Sequence, residues 1–206
     1  MSWADWSEAA FGTPYEVWHD GLDIDRAASA YRDDPEQAER MLRQGISLHD
    51  SLAPKAVDAI LAHGHAVPGL VAALKAEHDK GGWDFVIAAA VALHRATGED
   101  SWDAWLVRGV REGPSWTVRI DAAIALRDFA PSAARIDALA AAVHDRDYLV
   151  RYHAGTTLLR YAGDGSEIAD LPVFQDILDE PPADAAERHA RASTALAAQA
   201  SAALRP

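Results

Sequence analysis

The sequence predicts an all-α fold, a solenoid of about five helix pairs, from an internal repeat, a helix-rich composition and regular glycine and proline punctuation. The repeat is clearest between Asp145 and Gly163. A step back of 32 residues sets Val118 under Val150, Arg119 under Arg151, Ala122 under Ala154, Leu126 under Leu158, Phe129 under Tyr161 and Trp116 under Tyr148. Another step, of 33, gives Trp83, Phe85, Ala89 and Leu93, and a third gives Leu52, Ala56 and Ile60. Paired helical patterns with a period in the low thirties mark units that bury their apolar faces only against their neighbours.

Half of the 206 residues are hydrophobic, with alanine prominent. No apolar run is long enough for a membrane span, and the N-terminus lacks the basic-then-apolar order of a secretory signal, so a cytoplasmic protein without a membrane segment is expected. The absence of cysteine excludes disulfides, thiolate nucleophiles and cysteine-ligated zinc.

Taken in order, residues 1–34 do not match the repeat and hold Trp3, Trp6, Phe11, Tyr15, Trp18 and Tyr31. They are expected to cap the first unit, whose outer face must be covered; the alternative is an aromatic binding surface. Residues 35–163 carry the repeats. Asp34-Pro35 is a helix start, an N-cap followed by proline at the first helical position. Ala38, Met41 and Leu42 then give an apolar stripe, and a second helix runs from about Asp50 to Gly64. The next unit opens at Val67-Pro68, breaks at Gly81-Gly82 and resumes from Trp83 to Ala96. Ser101-Trp102 begins a third, whose second helix is expected from Ser115 to Phe129. Pro131 opens a fourth, with Ile136, Leu139 and Val143 buried, and Gly163 and Gly165 close it. Residues 164–206 form a degraded last unit: a first helix around Leu171 to Leu178, a break at Pro181-Pro182, and an alanine-rich helix from Glu187 to Leu204 with a polar outer side.

The stretch from Arg146 to Leu158, with Val150, Arg151, Ala154 and Leu158 at its fixed positions, resembles the second helix of a HEAT-like repeat, and Trp116 to Leu126 is a second copy. The resemblance covers residues 36–163 well and 167–200 loosely. It implies a right-handed α-α superhelix with the second helices lining the concave surface. It also implies that Arg119 and Arg151 pair with an aspartate of the adjacent turn, here Asp145 or Asp147, a carboxylate partner suited to the planar guanidinium.

Three surfaces stand out as candidates. Trp83, Trp116 and Tyr148 begin successive second helices and would form an aromatic edge, or else each staple its own helix pair. Asp121, Arg127, Tyr152, His153 and Arg160, with Thr156, His94 and Arg95, are second-helix positions the core does not need, giving a mixed-charge groove able to recognise a protein. His63-Gly64-His65 is the closest histidine pair, but it lies at a turn without an adjacent carboxylate, so no metal site is expected. Nothing has the arrangement of a nucleophile and base or of a paired general acid and base, and there is no glycine-rich phosphate loop; no catalytic residue and no cofactor is expected.

Thirty-two acidic residues against nineteen Lys and Arg leave a formal charge of −13, which opposes nucleic acid and favours a basic or mixed-charge protein partner. The HEAT resemblance implies a non-enzymatic interaction scaffold; the acidic charge and small size alone point to its more specific form, an inhibitor or immunity-type protein that neutralises a basic toxin, and a monomer is favoured. The alternative it implies is a HEAT-like alkylpurine DNA glycosylase, on Trp83-Asp84, Trp116 and Asp121; scarce lysines and the acidic balance count against that. HEAT-like bilin lyases are a weaker third, since no residue marks a tetrapyrrole site.

Overall fold

The computed structural model describes residues 1–13, 15–16, 21–179 and 182–204. Trp18 and Pro181, expected in the cap and in the last break, lie outside them. Among the described residues the chain is all-α, and it divides into two compact units, Met1–Trp102 and Asp103–Pro206.

The first unit holds α1 (Trp3–Phe11), α2 (Ile24–Asp33), α3 (Pro35–Ser47), α4 (Leu52–Ala62), α5 (Pro68–Glu77) and α6 (Trp83–Thr97). Asp34 caps α3 by accepting from the Gln37 amide at 2.9 Å, with Pro35 at the first helical position. Helices pack along two rows, α1 on α3 on α5 and α2 on α4 on α6. Met41, Leu42, Ile46, Val57, Ile60, Leu70, Leu74, Phe85 and Leu93 form the core between the rows.

Residues 1–34 therefore contain a helix pair that follows the same neighbour rule as the repeats, although its sequence does not follow theirs. Ser2 and Asp5 close a capping box at the start of α1, and Asp23 caps α2 through the Arg26 amide. Trp3, Trp6 and Phe11 are buried in mutual contact, and Trp3 Nε1 donates to Asp50 Oδ2 at 2.8 Å. Trp3 packs against Gly45 of α3: a Cβ there would come within 2.8 Å of the indole.

The second unit holds α7 (Asp103–Glu112), α8 (Trp116–Ala125), α9 (Ala133–Ala142), α10 (Tyr148–Tyr161), α11 (Val173–Ile177) and α12 (Ala185–Ala202). Its second-helix row, α8 on α10 on α12, follows the sequence register: Val150, Ala122, Ala154, Leu126 and Leu158 are fully buried and Val118 nearly so. Two boundaries differ from expectation. The helix expected to reach Phe129 is α-helical only to Ala125, tightens into a 3₁₀ turn at Leu126–Asp128 and leaves Phe129 extended. The first helix of the last unit is a single short turn, α11, so α9 packs directly on α12, with Ser193 Oγ donating to the Ala140 carbonyl at 2.8 Å.

Buried arginines bind these helices to one another. Arg119 Nε and Nη2 take Asp145 at 2.6 and 3.0 Å, and Arg135 Nε takes Asp103 at 2.7 Å. Arg151 differs from expectation. Its Nη1 reaches the Asp145 carbonyl at 2.7 Å, its Nε reaches that of Ile177 at 2.7 Å, and its ion-pair partner is Asp179, 2.8 Å from Nη2. That contact brings charge together without hydrogen-bond alignment, since Nη2 has no hydrogen-bond partner. The aspartate lies on the turn ahead of Arg151, as Asp145 lies ahead of Arg119; Asp145 is already taken by Arg119. Arg188, at the same point of α12, pairs with Asp184.

Candidate functional site

The sequence-nominated residues converge most on one face of α10. Tyr148, Tyr152, His153, Thr156 and Arg160 recur at helical spacing, so they share a side of the helix. Core packing uses the opposite side, where Val150, Ala154 and Leu158 are fully buried. The face is half-buried from Tyr148 to Thr156 and exposed at Arg160.

Arg127 joins this face from α8. The 3₁₀ turn at Leu126–Asp128 carries the residue, and its guanidinium crosses to α10, where Nε donates to Thr157 Oγ1 at 3.1 Å and Nη2 to His153 Nδ1 at 3.2 Å. Because a guanidinium only donates, His153 must accept at Nδ1 and carry its proton on Nε2. Thr157, fully buried, also bonds the carbonyls of Ala123 and His153, each at 2.9 Å, and so fixes the acceptor that holds Arg127. Tyr161 locks the same turn by donating to the Leu126 carbonyl at 2.7 Å.

Two cations, Arg127 and Arg160, meet here, with Glu167 and Asp128 nearby. Burial, and then the neighbouring Arg160, pull Arg127 below the ordinary arginine range. Burial, and then Arg127, hold His153 below the usual imidazole value, so it stays neutral near pH 7. Beside these groups is a ring cluster: Tyr148 and Tyr152 lie 6.1 Å apart, and Phe174 of α11 sits 6.4 and 6.5 Å from them. His153 packs edge-on against Tyr152 at 5.2 Å.

Trp83, Trp116 and Tyr148 are the first residues of α6, α8 and α10, as the repeat predicts. Tyr148 turns to Tyr152 and Phe174, while Trp116 is 47% exposed. Trp83 lies in the first unit, half-buried, with His94 and Arg95; Arg95 is clasped by Asp58 through Nε and Nη2. Asp121 is exposed on α8. His63 and His65 point to different partners, Asp25 at 3.2 Å and the Tyr31 ring at 5.4 Å. Among the described residues no three His, Asp or Glu side chains converge on a point where a metal ion could sit. Sequence reading missed Phe174 as part of the ring cluster and Thr157 as the anchor of Arg127. A residue one helical turn beyond His153 is the signal that could have found Thr157.

No curated protein and no solved structure matches the chain. No helix among the described residues is long and apolar enough to cross a membrane. Residues 104–195, which lie in the second unit, match the family described as HEAT repeats, and the helix pairs there stack in the two rows such repeats require.

Proposed function

We propose that this chain is a non-enzymatic protein-interaction module that captures a partner of basic or mixed charge on the α10 face around Arg127, Tyr152, His153 and Arg160. HEAT repeats are in general protein-interaction scaffolds. The supporting observation is how the arginines are used. A nucleic-acid cleft would need Arg95, Arg119 and Arg151 facing phosphate, yet Arg95 is held by Asp58, Arg119 by Asp145 and Arg151 by Asp179. Two cations, Arg127 and Arg160, stand at the face in a chain of net charge −13. Such a balance attracts a basic protein at long range and selects it locally by one acidic contact. An inhibitor or immunity-type protein is the more specific form of this reading.

Affinity capture from lysate of the native host, at low and at moderate salt, with the Arg160→Glu chain in parallel, tests it. One stoichiometric protein whose recovery falls with salt and with Arg160→Glu is expected. Recovery of no protein, together with excision of alkylated bases by the purified chain, would overturn the reading in favour of a DNA glycosylase.

A further inference from the structure

We propose that Arg127 and Arg160 form a carboxylate-binding site, filled by an aspartate or glutamate side chain of the partner protein whose neighbouring apolar residue rests on Tyr152. This rests on the interaction-module reading above and names the contact that would give it specificity.

Each arginine buried in the described part of the second unit meets a carboxylate: Arg119 meets Asp145, Arg135 meets Asp103, Arg151 meets Asp179 and Arg188 meets Asp184. Half-buried Arg127 does not. Neutral acceptors hold it, Thr157 Oγ1 and His153 Nδ1, and among the described residues it forms no ion pair. The charge that acts on it most is another cation, Arg160; Glu167 and Asp128 oppose this more weakly from exposed positions. Half-burying one cation beside a second is unfavourable unless an anion repays the desolvation. Holding the guanidinium on neutral acceptors with no carboxylate in direct contact is a preorganised arrangement for an incoming anion.

The donor inventory agrees. Thr157 and His153 occupy Nε and one hydrogen of Nη2, leaving both Nη1 hydrogens and the second Nη2 hydrogen for a bidentate carboxylate. The carboxylates of Glu167 and Asp128, exposed nearby, repel the single charge of an incoming carboxylate less than they would a phosphate dianion. Tyr152, packed on the His153 ring that holds Arg127, gives the adjoining residue an aromatic contact, which a free ion would not use.

The test is an NMR titration of the isotope-labelled full chain, following the Arg127 Nε–H and His153 ring signals. The probes are Ac-Leu-Glu-Leu-NH2, its glutamine counterpart, inorganic phosphate, and sodium chloride at matched ionic strength. Saturable shifts with the glutamate peptide, at least about tenfold weaker with the glutamine peptide, are expected from losing a charge-assisted pair. Arg160→Gln, an exposed substitution, should weaken the response at an unchanged melting temperature. Equal responses to both peptides, a response reproduced by chloride, or saturation by phosphate but not by the glutamate peptide would each overturn the site. A host protein captured equally well by the Arg160→Gln chain would also overturn it while leaving the interaction module standing. Saturation by the glutamate peptide with no protein captured from lysate would support the site and count against the module.

Discussion

Arg119 grips Asp145 with two parallel hydrogen bonds, Nε to Oδ2 at 2.6 Å and Nη2 to Oδ1 at 3.0 Å, with both side chains nearly buried. The pair ties α8 to the turn before α10. The same carboxylate accepts the Asp147 amide at 2.9 Å, and Arg119 Nη1 satisfies the Gly113 carbonyl at 3.0 Å, so one ion pair orders two turns of the stack.

Asp145→Ala should therefore destabilise the second unit by about 3–5 kcal/mol, because it leaves the Arg119 charge buried without a partner. Arg119→Lys should also destabilise it, since an ammonium cannot make the paired bonds. Urea unfolding checks both: the Asp145→Ala midpoint should fall well below that of Arg119→Lys, and equal midpoints near the parent value would show that the pair does not order the turns.

The N-terminal pair carries the second prediction. Gly45 has no room for a Cβ, with Trp3 ring carbons at 2.8 Å and the Ala53 methyl at 2.9 Å from where it would stand. Gly45→Ala should push Trp3 off α3 and cost about 1–3 kcal/mol by overpacking, despite alanine's better helix propensity. Tryptophan fluorescence should shift to the red in the folded state as the indole becomes wetted. An unchanged emission maximum with raised stability would mean the Trp3 seat is loose.

How much of this was legible in the sequence depended on whether the information was periodic. Ala122, Ala154, Leu126 and Leu158 could be placed in the core from the repeat alone, and all four are fully buried. The Arg135–Asp103 pair, 32 residues apart, lay in the same register but was not read, because neither residue belongs to the second-helix motif. Helix α2 was missed as an element: its fully buried residues are Ala27 and Ala28, small side chains that give little hydrophobic signal. Arg127 could be named as a groove residue, but its tether to Thr157 and His153 depends on the change from α to 3₁₀ at Leu126, a one-turn tightening that no local residue pattern announces.

Overpacking at the repeat's alanine tests that register directly. Ala122 is fully buried in α8, which packs on both α7 and α10. Ala122→Leu should destabilise by about 1–3 kcal/mol, since three extra carbons must force neighbouring side chains off their rotamers. Ala141→Leu, on the exposed side of α9, should change stability by less than about 0.5 kcal/mol. Thermal melts of the two variants should separate clearly, and coincident melts would show that the packing around α8 has slack.

Acid sensitivity gives the last prediction. Burial, then Arg127, lowers the His153 imidazole below its usual 6.5, and burial, then Arg151, does the same to His189. In the unfolded chain both titrate near the usual value, so as pH falls through it the unfolded state takes up protons that the folded state still refuses. Stability conferred by keeping these rings neutral is therefore fully present above about pH 6.5 and is lost as pH falls toward their lower folded values. Denaturant midpoints measured from about pH 8 to about pH 5 should decline below about 6.5. His153→Gln, which can still offer Arg127 Nη2 an oxygen acceptor, should remove part of that decline while leaving the midpoint at pH 8 nearly unchanged. A decline identical in the parent and the His153→Gln chain would show that protonating His153 does not strain the Arg127 contact.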